Sequence, residues 1–304
     1  MKPFPELELE SAGGTVYPLV MPYRQATEWS GLGLPPIRHW TTRAPFQTGE
    51  SHWGYAIGPR VINVVLYTKG CDRADMYAKT RANTLMLSPT NGPHKLRLIT
   101  PDLKQYELHN VWVTGGYELS TQDQRSPRRQ SGAVQLTAYD PIWKWANSPL
   151  GVGETRDASG RTCMATDAFV TANTLVLPFT GPYLLNTVTA TASLTCVNDG
   201  SWAVRPTVTM EGPLSDWTLT NATTGKAMAW DGYDIATGEI VAIDIPNKTV
   251  TNGAGTDLTT YLSGDFGTFA LEPGANTINF FGAGSVVAAV TTVGICWYVE
   301  LLGL

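Results

Sequence analysis

Four histidines, His39, His52, His94 and His109, are the side chains of this chain best suited to proton transfer or metal ligation near neutral pH. They are scattered over the first half with no i, i+4 pair and no neighbouring cysteine. No recognisable metal constellation results, and each is read as a surface or packing residue. The second half has no histidine, which excludes a Ser-His-Asp or Cys-His site confined to it. The cysteines, Cys71, Cys163, Cys196 and Cys296, are widely spaced and form no C-x-x-C pair. Neither a zinc site nor a disulfide framework is indicated, so buried thiols are expected.

Carboxylates that could serve a glycosidase exist, such as Asp231 with Asp234 or Glu239 with Asp244, but linear spacing establishes no facing pair; turn and strand-end roles fit them better. Gly31 to Gly33 and Asn252 to Gly255 lack the Lys-Ser/Thr and strand-turn-helix context of a phosphate cradle and read as turns. Trp217, Trp230 and Tyr233 could stack on sugars, although core packing accounts for them equally well. No catalytic residue, metal ligand or cofactor site is predicted.

The elements around these residues are mostly strands. With 304 residues, 43% hydrophobic and 15% charged, and with 30 Gly and 20 Pro, the chain is long enough for two cores and favours β-structure. Its net charge of −5 is uneven: 16 Lys+Arg against 12 Asp+Glu before residue 151, and 5 against 14 after it. A second half so poor in cations is ill suited to binding nucleic acid. The N-terminus lacks the apolar run of a signal peptide, and Val286 to Val299 is too short to span a bilayer as a helix.

Arg60 to Tyr67 reads as a core strand after Gly58-Pro59. A helix is predicted from Asp72 to Leu87, capped by Asp72, with Ala74, Tyr77, Ala78, Ala82 and Leu85 along its apolar face. Lys95 to Leu98 and Tyr106 to Leu108 alternate. Val111 and Val113 then fall in the opposite phase, which a bulge near His109 explains. Gly132 to Tyr139 pairs back to make a long hairpin. Its polar tip, Ser120 to Ser131, carries Arg125, Arg128 and Arg129, either as a solvated loop or as an arm that contacts a neighbouring subunit or partner. A turn-rich linker near residue 150 separates a first domain (1–150) from a second (151–304), in which short β-branched runs alternate with turns as in an antiparallel β-sandwich.

In order, these segments resemble the distal tail protein family of siphophages. In the first half the likeness rests on Gly33-Leu34-Pro35, Pro59 to Ile62, the helix ending at Leu87-Ser88-Pro89, Tyr106 in its strand and Thr137 to Trp143. In the second it rests on Asn198-Asp199-Gly200, Arg205 to Gly212, Asn221 to Gly225, Gly238 to Asp244, Lys248 to Val250 and Leu271 to Ile278. Glu154 to Asp167 matches no family element.

The resemblance implies a mainly β protein: an N-terminal tail-tube-like β-sandwich with one helix and a long hairpin, the belt domain, and a C-terminal galectin-like antiparallel β-sandwich. It further implies a homohexameric ring in the virion at the distal end of the tail, assembled in the host cytoplasm. The ring would join the tail-tube protein to a tail-tip hub or tail-associated protein, and DNA would pass through its channel without specific binding. Arg125, Arg128 and Arg129 are then expected to point away from the lumen, because Lys and Arg adhere to phosphate. No membrane insertion is implied. A carbohydrate-binding module built on Trp217, Trp230 and Tyr233 is the alternative, and a glycoside hydrolase the remote third.

Overall fold

The computed structural model describes residues 5–20, 24–119, 128–171, 189–283 and 291–304. The chain divides into two compact units, Met1–Asn147 with Leu301–Leu304, and Ser148–Glu300. The last four residues thus belong to the first unit, whereas a simple cut at residue 150 assigns them to the second.

The first unit contains β1 (Glu6–Glu10), β2 (Val16–Pro18), β3 (Arg24–Ser30), β4 (Ile37–Thr42), β5 (Ser51–Ile57), β6 (Arg60–Lys69), α1 (Arg73–Met86), β7 (His94–Ile99), β8 (Gln105–Leu119), β9 (Arg129–Ala138) and β10 (Trp143–Trp145). Its main sheet is antiparallel in the order β2-β1-β7-β8-β9-β6-β3, with β10 also paired to β8. Alternation at period two sends Leu7 and Leu9, Ile62, Val64 and Leu66, Leu96 and Leu98, and Val134 and Leu136 into one core with Trp143. The phase change lies where the alternation places it. The β7–β8 register shifts between the pairs His94↔Val111 and Leu96↔Leu108, and Asn110 takes a left-handed φ of 52°, a conformation asparagine tolerates better than most residues.

The second unit contains β11 (Glu154–Arg156), β12 (Thr162–Thr171), β13 (Thr189–Asn198), β14 (Thr207–Glu211), β15 (Asp216–Asn221), β16 (Lys226–Trp230), β17 (Ile240–Asp244), β18 (Thr249–Asn252), β19 (Leu262–Gly264), β20 (Gly274–Ala283) and β21 (Thr291–Trp297). The short β22 (Glu300–Leu301) pairs with β10. Strand β12 serves two sheets: its first residues pair with β21 and its last with β13. One layer is β18-β17-β14-β21-β12, the other β12-β13-β20-β15-β16-β19. Inward side chains of both layers form one core, from Val208, Val241, Ile243 and Ile295 on one side to Leu219, Met228, Ile278 and Phe280 on the other. Two packed antiparallel layers make a β-sandwich, and no α-helix occurs among the described residues of this unit.

One expectation, that of the cysteines, is corrected. The cysteines are not four buried thiols. Cys163 and Cys296 are directly opposed in the β12–β21 register and form a disulfide, Cys71 is exposed, and only Cys196 is a buried thiol. Burial pushes that thiol up to about 12. Residues 133 apart in sequence reveal no such pairing until the strands are placed. The segment from Glu154, which matched no family element, folds as a hairpin of β11 and β12.

Candidate functional site

The helix has the expected ends and the opposite face. Asp72 caps it, its carboxylate accepting a hydrogen bond from Asp75 N at 2.8 Å. Gly70 lets the chain turn tightly into it, because a Cβ there would lie 2.6 Å from Met76 N and 2.8 Å from Asp72 O. The buried residues, however, are Met76, Thr80, Asn83 and Met86, so the sheet receives a stripe that is half polar. Asn83 Nδ2 donates to Thr68 Oγ1 at 2.8 Å and Thr80 Oγ1 to Gln130 Oε1 at 3.4 Å; both sheet partners are buried. These pairs satisfy polar groups that would otherwise be desolvated without compensation. They turn Ala74, Tyr77, Ala78, Ala82 and Leu85, the predicted core face, towards solvent. Tyr77 is 48% exposed and Leu85 69%.

A second uncovered surface is the β4–β5 hairpin, which pairs with no other strand among the described residues. Every residue of β4 is exposed, and Trp40, Phe46, Trp53 and Tyr55 are exposed large hydrophobics. A lone two-stranded hairpin is marginal in water, and clustered exposed aromatics mark interaction sites. No motif in the sequence pointed to this segment. The available signal was its density of aromatic residues on short strands with no apolar alternation.

Of the hairpin-tip residues, Arg125 lies outside the described residues, Arg128 sits in the turn and Arg129 opens β9, the last two exposed. Arg129 is directly opposite Lys69, and Arg128 O accepts from Gly70 N at 2.8 Å. Arg128 and Arg129 thus lie beside the turn that leads into the helix.

Three of the five motifs that carried the family likeness in the first half, Gly33-Leu34-Pro35, Pro59 to Ile62 and Thr137 to Trp143, converge on a structural knot. Arg60 is buried and reaches backbone carbonyls from three stretches of chain: Gly31 O at 3.1 Å, Leu32 O at 2.9 Å and Gly33 O, Pro141 O at 2.9 Å, and Leu302 O at 3.1 Å. Trp143 lies under its guanidinium at 5.6 Å and donates its indole N–H to Leu32 O at 3.0 Å. Burial lowers the Arg60 pKa to about 10, which leaves it charged at neutral pH and able to hold these carbonyls.

On the outer face of the same sheet, charges alternate across four strands in register: Glu8 on β1, Arg97 on β7, Glu107 on β8 and Lys144 on β10. Arg97 is within 2.8 Å of Glu107, 3.2 Å of Glu8 and 3.3 Å of Glu10. His109 Nε2 lies 3.2 Å from Glu107, and Lys144 binds Asp140 at 2.6 Å. Burial alone would raise the Glu107 pKa. Hydrogen bonds from His109 and Arg97 and the charges of Lys95 and Arg97 outweigh it and bring the value to about 2.

The sugar-stacking residues of the second unit are differently placed. Trp217 and Trp230 are 2% and 1% exposed. They pair across β15 and β16 and stack on each other with centroids 5.7 Å apart and planes 9° apart. Both indole faces belong to the core, so neither can lie on a sugar ring. Tyr233 is partly buried, edge-on to Trp230, and donates to Glu239 at 2.8 Å. Two of the candidate acids close turns: Asp244 accepts from Asn247 N at 3.0 Å, and Glu239 from Ala236 N at 3.0 Å, with a further bond from Asn252 Nδ2 at 3.0 Å. Hydrogen bonds from Ala236 N, Tyr233 and Asn252 hold Glu239 below its ordinary pKa, the reverse of what a general acid needs.

Comparison with known proteins bears on the whole arrangement. Residues 199–293 match the family described as siphovirus-type tail component, C-terminal domain. Among solved structures, the Dit protein (gp 19.1) of SPP1, described as a paradigm of the hub adsorption apparatus in phages infecting Gram-positive hosts, has 13% identity and a TM-score of 0.60. The alignment covers 95% of this chain and 98% of that one. The phage P2 baseplate in its activated conformation matches at 9% identity over 95% and 97% of the two chains, with TM-scores of 0.44 with Ca and 0.43 with Sr. No curated protein matches by sequence. The resemblance to the siphophage distal tail proteins stands, with the tail-component domain in the second unit and the Dit fold along the chain.

Proposed function

Because residues 199–293 match the siphovirus-type tail component domain and the fold along the chain is that of the SPP1 Dit protein, we propose that this chain is a non-catalytic structural protein of the virion. Six copies close into a ring at the distal end of the tail, between the tail-tube protein and a tail-tip hub or tail-associated protein, and leave a channel through which DNA passes without specific binding. The ring assembles in the host cytoplasm. The first unit forms the belt, and the second is a sandwich of galectin-like type with an acidic composition.

The observation that carries this reading is the inverted helix. An apolar stripe of Ala74, Tyr77, Ala78, Ala82 and Leu85 that is exposed, on a unit that also exposes the aromatic β4–β5 hairpin, supports an interaction surface there. Two distinct uncovered patches on one unit are what a head-to-tail contact uses, and such contacts close into rings when the rotation permits. Arg128 and Arg129 lie beside the start of this helix and serve the subunit contact, not the channel wall.

Light scattering and negative-stain imaging of the purified chain test the proposal. A six-membered annulus is expected for the native protein, and monomers with an unchanged circular dichroism spectrum for Tyr77→Glu/Leu85→Glu. A native chain that stays monomeric at high concentration, together with normal tail tips in virions lacking it, would refute the ring.

A further inference from the structure

The exposed β4–β5 hairpin brings together two histidines that lie 13 residues apart in sequence. His39 Nδ1 is 3.1 Å from His52 Nε2, with ring centroids 5.2 Å apart and planes inclined by 57°. A β-bulge makes this possible. Trp40 pairs with Gly54 and Thr41 with His52, so Trp53 is the extra residue. Without it Thr42 would face His52, and the two imidazoles would point to opposite sides of the ribbon, since a one-residue slip inverts every side chain beyond it. The bulge is held on its far side by Trp53 Nε1, which donates to Thr42 Oγ1 at 2.5 Å. Bulges re-aim side chains in this way.

We propose that His39 and His52 form a two-histidine chelate for a borderline divalent cation of the zinc, nickel or copper(II) class. Metal–nitrogen bonds of about 2.0–2.1 Å meeting at roughly 90–110° require nitrogens about 2.8–3.4 Å apart; the observed 3.1 Å lies within that span, and the proton that one ring donates to the other in this contact moves to that ring's remote nitrogen on binding, so that both facing nitrogens can ligate. Imidazole nitrogens select these metals over magnesium or calcium, which prefer oxygen. Both rings are exposed, so a hydrated ion reaches them without any opening of the fold. The chelate links the two strands of a hairpin that pairs with no other strand among the described residues, and leaves further coordination positions for water or an incoming side chain. This site does not depend on ring formation, because one chain supplies both ligands.

The other cluster with metal-ligand chemistry, Asp157 with Cys163 and Cys296, is a poorer host. Its sulfurs are joined in the disulfide, and Asp157 already accepts from Arg161 Nε at 2.6 Å and from the backbone N–H groups of Ser159 and Arg161. A cation there would meet the Arg161 guanidinium.

The test is calorimetric titration of the EDTA-treated full chain with Zn²⁺, alongside native mass spectrometry. One ion per chain is expected, with affinity reduced at least tenfold in either His39→Asn or His52→Asn and unchanged in Cys163→Ser/Cys296→Ser. In the copper(II)-loaded chain, electron paramagnetic resonance should show two equatorial nitrogens, reduced to one in each histidine variant. The proposal fails if the native chain binds no more tightly than His39→Asn/His52→Asn. It also fails if binding survives in that double variant and disappears in Cys163→Ser/Cys296→Ser, which would place the ion at the Asp157–Cys163–Cys296 cluster.

Discussion

Replacing Glu107 with Gln removes the most strongly stabilised charge of the outer ladder while keeping its shape. The carboxylate drops from an ordinary value of 4.5 to about 2, and its side chain is 6% exposed, so solvent screens it little. A shift of that size corresponds to about 3 kcal/mol of preference for the ionised form in the folded chain. Because the folded value lies below the unfolded one, this stability is fully present above about pH 4.5 and is lost as pH falls through the folded pKa near 2. The Gln variant is therefore expected to melt about 6–12 °C lower in the first unit at pH 7, and the gap to the native chain should narrow steadily below pH 4.5. Differential scanning calorimetry of both proteins at pH 7, 4 and 3 measures this. A loss below about 0.5 kcal/mol at pH 7, the size of an ordinary surface pair, or a gap that does not change with pH, would show that Arg97, Lys95 and His109 do not act on Glu107 as described.

Two further outcomes concern the second unit. Reduction, or Cys163→Ser/Cys296→Ser, is expected to lower its melting transition, because the bridge closes a separation of 133 residues and chain-entropy reasoning gives a ceiling of about 4–5 kcal/mol; identical melting of oxidised and reduced protein would contradict this. Trp217→Ala is expected to destabilise the sandwich by about 3–5 kcal/mol, as loss of a buried aromatic does, measured by urea unfolding. A fully stable variant that lost only glycan binding would restore the sugar-stacking role.

Local features of the fold were legible in the sequence because their causes are local. The Asp72 cap, the helix span, the strand alternation and the slip near His109 each depend on residues within a few positions of one another. So does the division of labour between turn and strand in the second half. The family likeness was legible too, but its first-half motifs mark structural positions: Gly33, Pro59 to Ile62 and the stretch from Thr137 to Trp143 gather around Arg60. That convergence explains how individually weak motifs can matter in order.

What the tertiary structure alone decided was which surfaces meet. The helix pattern correctly picked out an apolar stripe, yet could not say that Thr68 and Gln130 would offer hydrogen bonds to Thr80 and Asn83 and leave that stripe facing water. Composition supplied aromatic residues, but burial placed Trp217 and Trp230 in the core and left Trp40 and Trp53 outside it. The Cys163–Cys296 bridge depends on strands far apart in the chain, and the His39–His52 pair on one extra residue in a hairpin. Periodicity encodes the two faces of an element; the neighbour that covers either face is set by long-range register, and there a single bulge reverses the result.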